Sequence, residues 1–186
     1  MIIGITGNIG SGKTTLAQGI VSIGFEEYCF ATPLKKIAEI FDFDKDHLYG
    51  SQEQKLEIHP KWKVSSRDFL QKVGTELFRD RLSEVLPNMD IKDSIWIELF
   101  RVFYYKHRKN YVISDLRFED EAKAIRAMGG IIIRTVRNTK EDFVSTHKSE
   151  TQVNNIIPNL IVDNNSLSKE EALNVVKKYL KGISFL

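Results

Sequence analysis

Short apolar runs alternate with stretches of helical periodicity along much of this chain. Residues 1–6 and 131–136 are apolar runs of strand length, and the second is rich in β-branched side chains. Several helical stretches carry a start or stop signal, such as Ser168 with Glu171 at the last helix and Gly129 after residues 119–128. Such βα units predict an α/β fold with a mostly parallel sheet and helices on both faces.

The same pattern gives approximate bounds for each element. The predicted strands are residues 1–6, 25–30, 111–114, 131–136 and 160–162. The predicted helices are residues 13–22, 33–41, 65–85, 91 into the basic run 106–109, 119–128 and 168–180, and residues 137–155 are predicted to be irregular. The helices in the middle of the chain interrupt the βα alternation, so they are predicted to be inserted into the α/β core.

Composition narrows the class of protein. The chain has 186 residues, of which 42% are hydrophobic and 28% are charged, as in an ordinary globular domain and unlike a disordered or collagen-like chain. The net charge of +2 gives no strong case for nucleic acid as a partner. No apolar run approaches the ~20 residues of a membrane span, so no membrane partner is expected. The single cysteine, Cys29, cannot form an internal disulfide, and this favours a reducing cytoplasm.

The most specific motif is Gly7-Asn8-Ile9-Gly10-Ser11-Gly12-Lys13-Thr14, a complete P-loop (Walker A) sequence. Glycines let the backbone N–H groups surround phosphate oxygens, and the following helix adds its positive end. Lys13 would reach the β- and γ-phosphates and Thr14 would offer a hydroxyl to Mg²⁺. The residues predicted to bind ATP are Gly7, Asn8, Ile9, Gly10, Ser11, Gly12, Lys13, Thr14 and Thr15. The motif alone leaves an ATPase, a GTPase and a small-molecule kinase open.

Asp115 follows the predicted strand 111–114, at the end of the sheet where ligands approach. A carboxylate there would hold Mg²⁺ together with Thr14, and the alternative is a cap on the next helix. Arg117 would lie in the loop above the strand and meet an anionic substrate, or be an ordinary surface arginine.

The predicted helix 65–85 carries a polar side. Arg67, Gln71, Gly74, Thr75 and Arg79 share one side at helical spacing, which would suit a phosphate and a flat base. The alternative is a solvated face. The nearby Trp62 would either stack on a base or pack.

A polar segment follows the predicted strand 131–136. Arg134 and Arg137 lead into it, and it ends near His147 and Glu150. Phosphoryl-transfer enzymes close cationic loops over the site, so these four residues are candidates for a lid. A zinc site is disfavoured because two ligands do not make one.

Together these motifs resemble the deoxynucleoside monophosphate kinases of bacteriophages and large DNA viruses, over nearly the whole chain. Beyond the P-loop, the resemblance rests on the runs Phe30-Ala31-Thr32-Pro33-Leu34-Lys35, Arg67 to Gln71 with Gly74-Thr75-Glu76 and Arg79, Trp96-Ile97, Ser114 to Phe118 with Glu121-Ala122, and His147 to Glu150. It implies one P-loop kinase domain over 1–186, with a core (1–30, 90–136 and 154–186), an acceptor-binding insertion (31–89) and a lid (137–153).

The resemblance also implies an activity: transfer of phosphate from ATP, with Mg²⁺, to a deoxynucleoside monophosphate. It implies that Lys13, Asp115 and Arg137 are catalytic, and that Lys35, Arg67, Gln71, Arg79 and Arg117 face the acceptor. Residues 163–166 would pass near the donor adenine. The location would be the host cytoplasm if the protein is viral, and a homodimer is left open. Dephospho-coenzyme A kinase and phosphomevalonate kinase remain alternatives, as does a P-loop ATPase or switch protein of a different class.

Overall fold

The computed structural model describes residues 1–138 and 148–183. Along the chain the elements are β1 (Ile2–Thr6), α1 (Lys13–Val21), β2 (Glu26–Tyr28), α2 (Thr32–Ile40), α3 (Lys45–Tyr49), α4 (Gln52–Leu56), α5 (Ser66–Gln71), a π-helix (Lys72–Arg79), α6 (Leu82–Val85), α7 (Ile95–His107), β3 (Tyr111–Ile113), α8 (Glu119–Ala127), β4 (Ile131–Val136), α9 (Lys148–Thr151), a 3₁₀-helix (Gln152–Asn155), β5 (Leu160–Asp163) and α10 (Lys169–Gly182). Within these described ranges, no helix combines the length and the apolar content needed to cross a membrane.

The chain folds as two compact units. The core unit consists of Met1–Cys29 and Tyr104–Leu186, and the helical unit is Phe30–Phe103. The helical unit therefore includes the whole predicted insertion 31–89 and extends to Phe103 within α7.

The core unit is built on a five-stranded sheet with the strand order β2-β3-β1-β4-β5. Every pair of neighbouring strands is parallel, with β1 between β3 and β4. All five residues of β1 are buried, because helices cover both faces of a parallel sheet. Since parallel strands all end at the same edge, the loops after β1, β3, β4 and β5 share that edge of the sheet.

The helical unit is made of short helices with explicit starts. Asp44 caps α3 by accepting from the His47 amide, and Ser51 forms a capping box with Gln54 at α4. The buried hydroxyl of Ser66 donates to the carbonyl of His47 at 2.5 Å, which joins the start of α5 to α3. A small core of Ala38, Phe43 and Leu48 packs with Phe69 and Leu70.

The structure confirms the α/β class and the mostly parallel sheet. It also confirms β4 at its predicted bounds and the Ser168 capping box of α10. The predicted helix 65–85 is wrong as a single α-helix, since it divides into α5, the π-helix and α6. Sequence analysis missed α3, α4, α9 and the 3₁₀-helix, and it began α7 too early. The strand predicted over 25–30 is only Glu26–Tyr28.

Candidate functional site

The P-loop joins β1 to α1 in a conformation that requires glycine. Gly7 has φ 146° and Gly12 has φ 96°, both in the left-handed half of backbone space. A Cβ on Gly7 would lie 2.4 Å from the Thr135 carbonyl oxygen, and one on Gly12 would lie 2.6 Å from Nδ2 of Asn164. The loop is therefore packed tightly against the ends of β4 and β5, so neither glycine has room for a side chain.

Lys13 spans the P-loop from the first turn of α1. Its Nζ donates to the carbonyl oxygens of Gly7 at 2.7 Å and Asn8 at 2.8 Å. Thr14 is exposed and Thr15 is half-buried in the same turn. This turn contains no acidic side chain, so no carboxylate within it neutralises the partial positive charge at the start of α1. The arrangement fits a phosphate site.

Two polar side chains, those of Thr135 and Asn164, hold the P-loop in place, and sequence analysis gave neither of them this role. The Thr135 hydroxyl lies 2.8 Å from the Ser11 hydroxyl, and Nδ2 of Asn164 donates to the Ser11 carbonyl oxygen at 2.7 Å. All three residues are buried. Their positions at the carboxyl ends of strands, at the edge of the sheet that carries the P-loop, were the signal that could have pointed to them.

Asp115 lies just after β3, the strand next to β1, and it is half-buried. Burial, with the nearby Asp115 carboxylate as the second cause, raises the pKa of Tyr28 to about 12. The nearby Ser114 hydroxyl donates to Oε1 of Glu27 at 2.5 Å. The first residue of α8 is Glu119 and its N-cap is Phe118, so the alternative that Asp115 caps this helix is wrong.

Arg117 begins the turn that enters α8. Its main-chain N–H donates to Oε2 of the buried Glu121 at 3.0 Å, and the Phe118 N–H donates to the same oxygen at 3.1 Å. The side chain of Arg117 is half-buried. Glu121 thus fixes the backbone between Asp115 and α8.

The two arginines predicted for the lid are placed differently. Arg137 follows β4, is exposed, and donates from Nε to the Asn164 carbonyl oxygen at 3.2 Å. Arg134 lies inside β4, and its Nη2 donates to the carbonyl oxygens of Val153 at 3.0 Å and Asn154 at 3.3 Å and also to that of Ile156. Arg134 therefore ties the strand to the 3₁₀-helix.

The other two lid candidates are His147 and Glu150. His147 lies outside the described residues, and Glu150 lies within α9. In the part of the chain that the structure describes, no group of three or more His, Cys, Asp or Glu side chains is arranged to hold a metal ion.

Five of the acceptor candidates in the helical unit lie on α5 and the π-helix. Arg67, Gln71 and Arg79 are half-buried, whereas Gly74 and Thr75 are buried. The Asp80 N–H donates to the Thr75 carbonyl at 2.9 Å, an i+5 bond that marks the wider π turn. Angular positions after Gln71 therefore differ from those of the α-helix that the sequence pattern assumed.

Three of the candidate side chains in the helical unit have local partners. Arg67 donates from Nη1 to Oε1 of Gln52 at 2.9 Å. Lys35 Nζ lies 4.0 Å from the centre of the Tyr49 ring. Trp62 donates from Nε1 to the Phe41 carbonyl at 2.5 Å and packs edge-on against the Phe41 ring, so packing accounts for its position.

A parallel sheet ordered 2-3-1-4-5, with a P-loop after the central strand and a lysine and threonine opening the next helix, defines a protein of the P-loop class. Shikimate kinase from Aquifex aeolicus has a similar fold, with a TM-score of 0.52 and 13% identity over 99% of this chain and 98% of that one. The family model for deoxynucleotide monophosphate kinase matches residues 38–174, and the chain belongs to this family.

Two viral relatives agree with this assignment. A protein of Acanthamoeba polyphaga mimivirus, whose name places it among the deoxynucleotide monophosphate kinases, is 38% identical over 92% of this chain and 91% of its own length. The deoxynucleotide monophosphate kinase of enterobacteria phage T4 is 26% identical over 87% of this chain and 67% of its own length.

Proposed function

We propose that this enzyme transfers the γ-phosphate of ATP to a deoxynucleoside monophosphate, giving the diphosphate and ADP. The observation that carries the proposal is a complete P-loop, closed by Lys13, in a chain that belongs to the deoxynucleotide monophosphate kinase family. Family membership favours this reaction over the dephospho-coenzyme A and phosphomevalonate kinase alternatives. It also favours an acceptor-dependent enzyme over a P-loop ATPase or switch.

The donor triphosphate would lie on the P-loop, within reach of Lys13 and the start of α1. A narrow cleft beside the loop is lined by Gly12, Thr15, Leu16, Arg137, Asn164, Leu167, Ser168, Lys169 and Ala172. We place the edge of the adenine near this cleft, since it continues from the phosphate site and includes Asn164 from the predicted segment 163–166. Arg137 at its rim would neutralise charge on the transferring phosphoryl group.

Mg²⁺ fits the oxygen atoms available beside the P-loop. Thr14 offers an exposed hydroxyl, and Asp115 offers a half-buried carboxylate at the end of the neighbouring strand. A magnesium ion in a kinase takes one or two protein oxygens and completes its shell with phosphates and water, so a larger cluster is not required. Thr14 and Asp115 would hold the ion, which would shield charge on the donor phosphates.

The acceptor would be bound chiefly by the helical unit. We assign this role to Lys35, Arg67, Gln71, Gly74, Thr75 and Arg79, and the sequence resemblance adds Arg117. Arginine suits a phosphate because its planar fork donates two parallel hydrogen bonds. The acceptor phosphate has a second pKa near ~6 and is mostly dianionic at neutral pH. The enzyme therefore needs positioning and charge neutralisation rather than a strong base.

Preference for deoxyribose over ribose would arise by exclusion, since an absent hydroxyl cannot be recognised by a hydrogen bond. Apolar surroundings reject an added hydroxyl by about 100-fold at most. The cytoplasm of a host cell is the proposed location, supported by the viral source of both relatives.

The decisive experiment measures ADP release and the phosphorylated product. Purified protein with ATP and Mg²⁺ is offered each of the four common deoxynucleoside monophosphates, the matching ribonucleotides, dephospho-coenzyme A, phosphomevalonate and no acceptor. We expect ADP release to depend on a deoxynucleotide and to match deoxynucleoside diphosphate one to one. ADP release without an acceptor, or with dephospho-coenzyme A alone, would contradict the proposal.

A further inference from the structure

Asn164 makes a buried hydrogen bond to a residue 153 positions away in the sequence. It follows β5 directly, its side chain is buried, and its Nδ2 lies 2.7 Å from the Ser11 carbonyl oxygen. A carbonyl oxygen only accepts hydrogen bonds, so the amide nitrogen of Asn164 must be the atom that faces it. The end of β5 thus contacts the middle of the P-loop through one defined bond.

This bond determines the direction of the following N–H group. The Ser11 carbonyl and the Gly12 N–H belong to one planar trans peptide unit, in which C=O and N–H point in opposite directions. Because Asn164 holds the carbonyl, the Gly12 N–H points away from Asn164. In a P-loop such N–H groups must converge on the phosphates, so the bond gives the peptide the orientation that phosphate binding requires.

The close approach leaves little freedom for the peptide to rotate. A Cβ on Gly12 would lie 2.6 Å from Nδ2 of Asn164, so the amide lies directly against the Gly12 backbone. On the side-chain side, the hydroxyl of Ser11 is held 2.8 Å from that of Thr135. Ser11 is therefore fixed at two points, one through its carbonyl and one through its hydroxyl.

The main chain of Asn164 also holds Arg137. The Asn164 N–H donates to the Val136 carbonyl at 2.8 Å, and the Asn164 carbonyl accepts from Nε of Arg137 at 3.2 Å. This bond does not use the two terminal nitrogens of the guanidinium. One residue thus contacts both the P-loop and the arginine beside it.

We propose that Asn164 is a positioning residue of the phosphate site, which orients the Ser11–Gly12 peptide toward the donor phosphates and sets Arg137 beside them. It acts through the P-loop and does not itself contact the transferring group. The inference rests on the donor half of the proposed function and is independent of which acceptor is used.

The test uses inorganic tripolyphosphate, which has neither a base nor a sugar. Asn164→Leu keeps most of the side-chain volume and removes the donor, and Asn164→Ala is the second variant. The control is Asn159→Ala, because Asn159 is exposed, accepts from the Ile132 N–H through Oδ1 at 2.8 Å, and precedes β5, at the edge of the sheet opposite the P-loop. Dissociation constants are measured by titration at a temperature well below the melting point of every variant.

We expect both Asn164 variants to bind tripolyphosphate about tenfold more weakly or worse, since a misaligned peptide loses a hydrogen bond to a charged phosphate. The control should stay near wild type. Affinity within twofold of wild type in a folded Asn164 variant would overturn the proposal. So would unfolding of both variants, since Asn164 would then hold the fold as a whole.

The two proposals fail differently. If wild type binds tripolyphosphate but phosphorylates no deoxynucleotide, the proposed function is wrong and the role of Asn164 stands or falls by the titration. If wild type phosphorylates deoxynucleotides while Asn164→Leu binds tripolyphosphate normally, the positioning role alone is wrong.

Discussion

The indole Nε1 of Trp96 donates a hydrogen bond to the carbonyl oxygen of Gly74 at 3.0 Å, and the bond is buried. Gly74 lies in the π-helix, and a Cβ there would lie 2.4 Å from Cδ2 of Leu34. The ring of Phe78, from the same π-helix, packs 5.4 Å from the Trp96 ring. α7 therefore holds the segment that carries Thr75 and Arg79 by a polar and an apolar contact.

Replacing Trp96 with phenylalanine should destabilise the protein through that polar contact. The variant removes the N–H and leaves the Gly74 carbonyl buried with one donor fewer, at a cost of ~1–3 kcal/mol in the free energy of unfolding. Urea unfolding measures this. Trp62→Phe is the matched control, because Trp62 also donates to a carbonyl but is 39% exposed, where water can replace the lost donor. Equal losses in the two variants would show that the buried bond contributes nothing special.

Lys13→Ala should abolish phosphoryl transfer while the chain stays folded. The ammonium lies across the P-loop on the Gly7 and Asn8 carbonyls, where it would meet the donor phosphates. Loss of one positioned charge commonly lowers the rate by about 10²–10³-fold. The rate of ADP formation and the melting temperature are measured together, with Lys123→Ala on the exposed face of α8 as the control. Near-normal turnover in a folded Lys13→Ala protein would exclude the assigned role of Lys13.

Arg67→Ala and Arg79→Ala should each weaken the acceptor and spare ATP. A charged hydrogen bond to phosphate is worth ~1.5–3 kcal/mol, which corresponds to a roughly 10- to 150-fold rise in the acceptor KM. Measuring the KM for ATP and the KM for the acceptor separately shows which of the two substrates each arginine binds. Arg81→Ala serves as the control, because Arg81 is an exposed arginine of the same unit that pairs with Glu84 at 3.7 Å. A rise confined to the KM of ATP would remove both residues from the acceptor site.

Ionisation of Tyr28 should lower the free energy of unfolding at alkaline pH. Burial and the Asp115 carboxylate raise its pKa to about 12, above the value of 10.0 for an ordinary tyrosine. Between these values the folded state keeps a proton that the unfolded state loses, so folding becomes less favourable as pH rises. The stability that the un-ionised Tyr28 side chain contributes is complete below pH 10.0 and is lost as the pH rises toward 12. The other titrating groups are common to wild type and Tyr28→Phe, so the difference in their unfolding free energies should shrink in that window. A difference that is constant with pH would contradict the raised pKa.

The parts of the fold that could be predicted have local causes. β4 is a continuous run dominated by β-branched residues, and α10 begins at Ser168 with Glu171 three residues later, so both patterns are contained in a few neighbouring residues. The P-loop motif likewise predicts both the turn that it forms and the helix that follows it. The capping box of Ser51 and Gln54 was an equally local signal for α4, and it was overlooked.

The remaining features depend on partners far along the chain. The ends of β4 and β5 could be recognised from the sequence, but Ser11 could not be identified as the partner of Thr135 and Asn164, because it lies 124 and 153 residues away from them. The π-helix could not be predicted from local residue preferences. It is accompanied by contacts with residues distant in the sequence, such as the bond from Trp96 to the Gly74 carbonyl. Arg134 looked like a lid residue because its guanidinium suits phosphates, yet the same fork serves backbone carbonyls in the structure.

The pairing of β1 has a consequence for the newly made chain. Ile3 is paired with Val112 on one side and Ile131 on the other, and Ser11 is held by Asn164, which lies 153 residues further along the chain. The phosphate-binding motif therefore leaves the ribosome 153 residues before the residue that anchors it. Contacts of such long range make folding slow. A nascent chain arrested before residue 164 would carry the complete motif without this anchor, so the phosphate site would reach its full affinity only after residue 164 has been made.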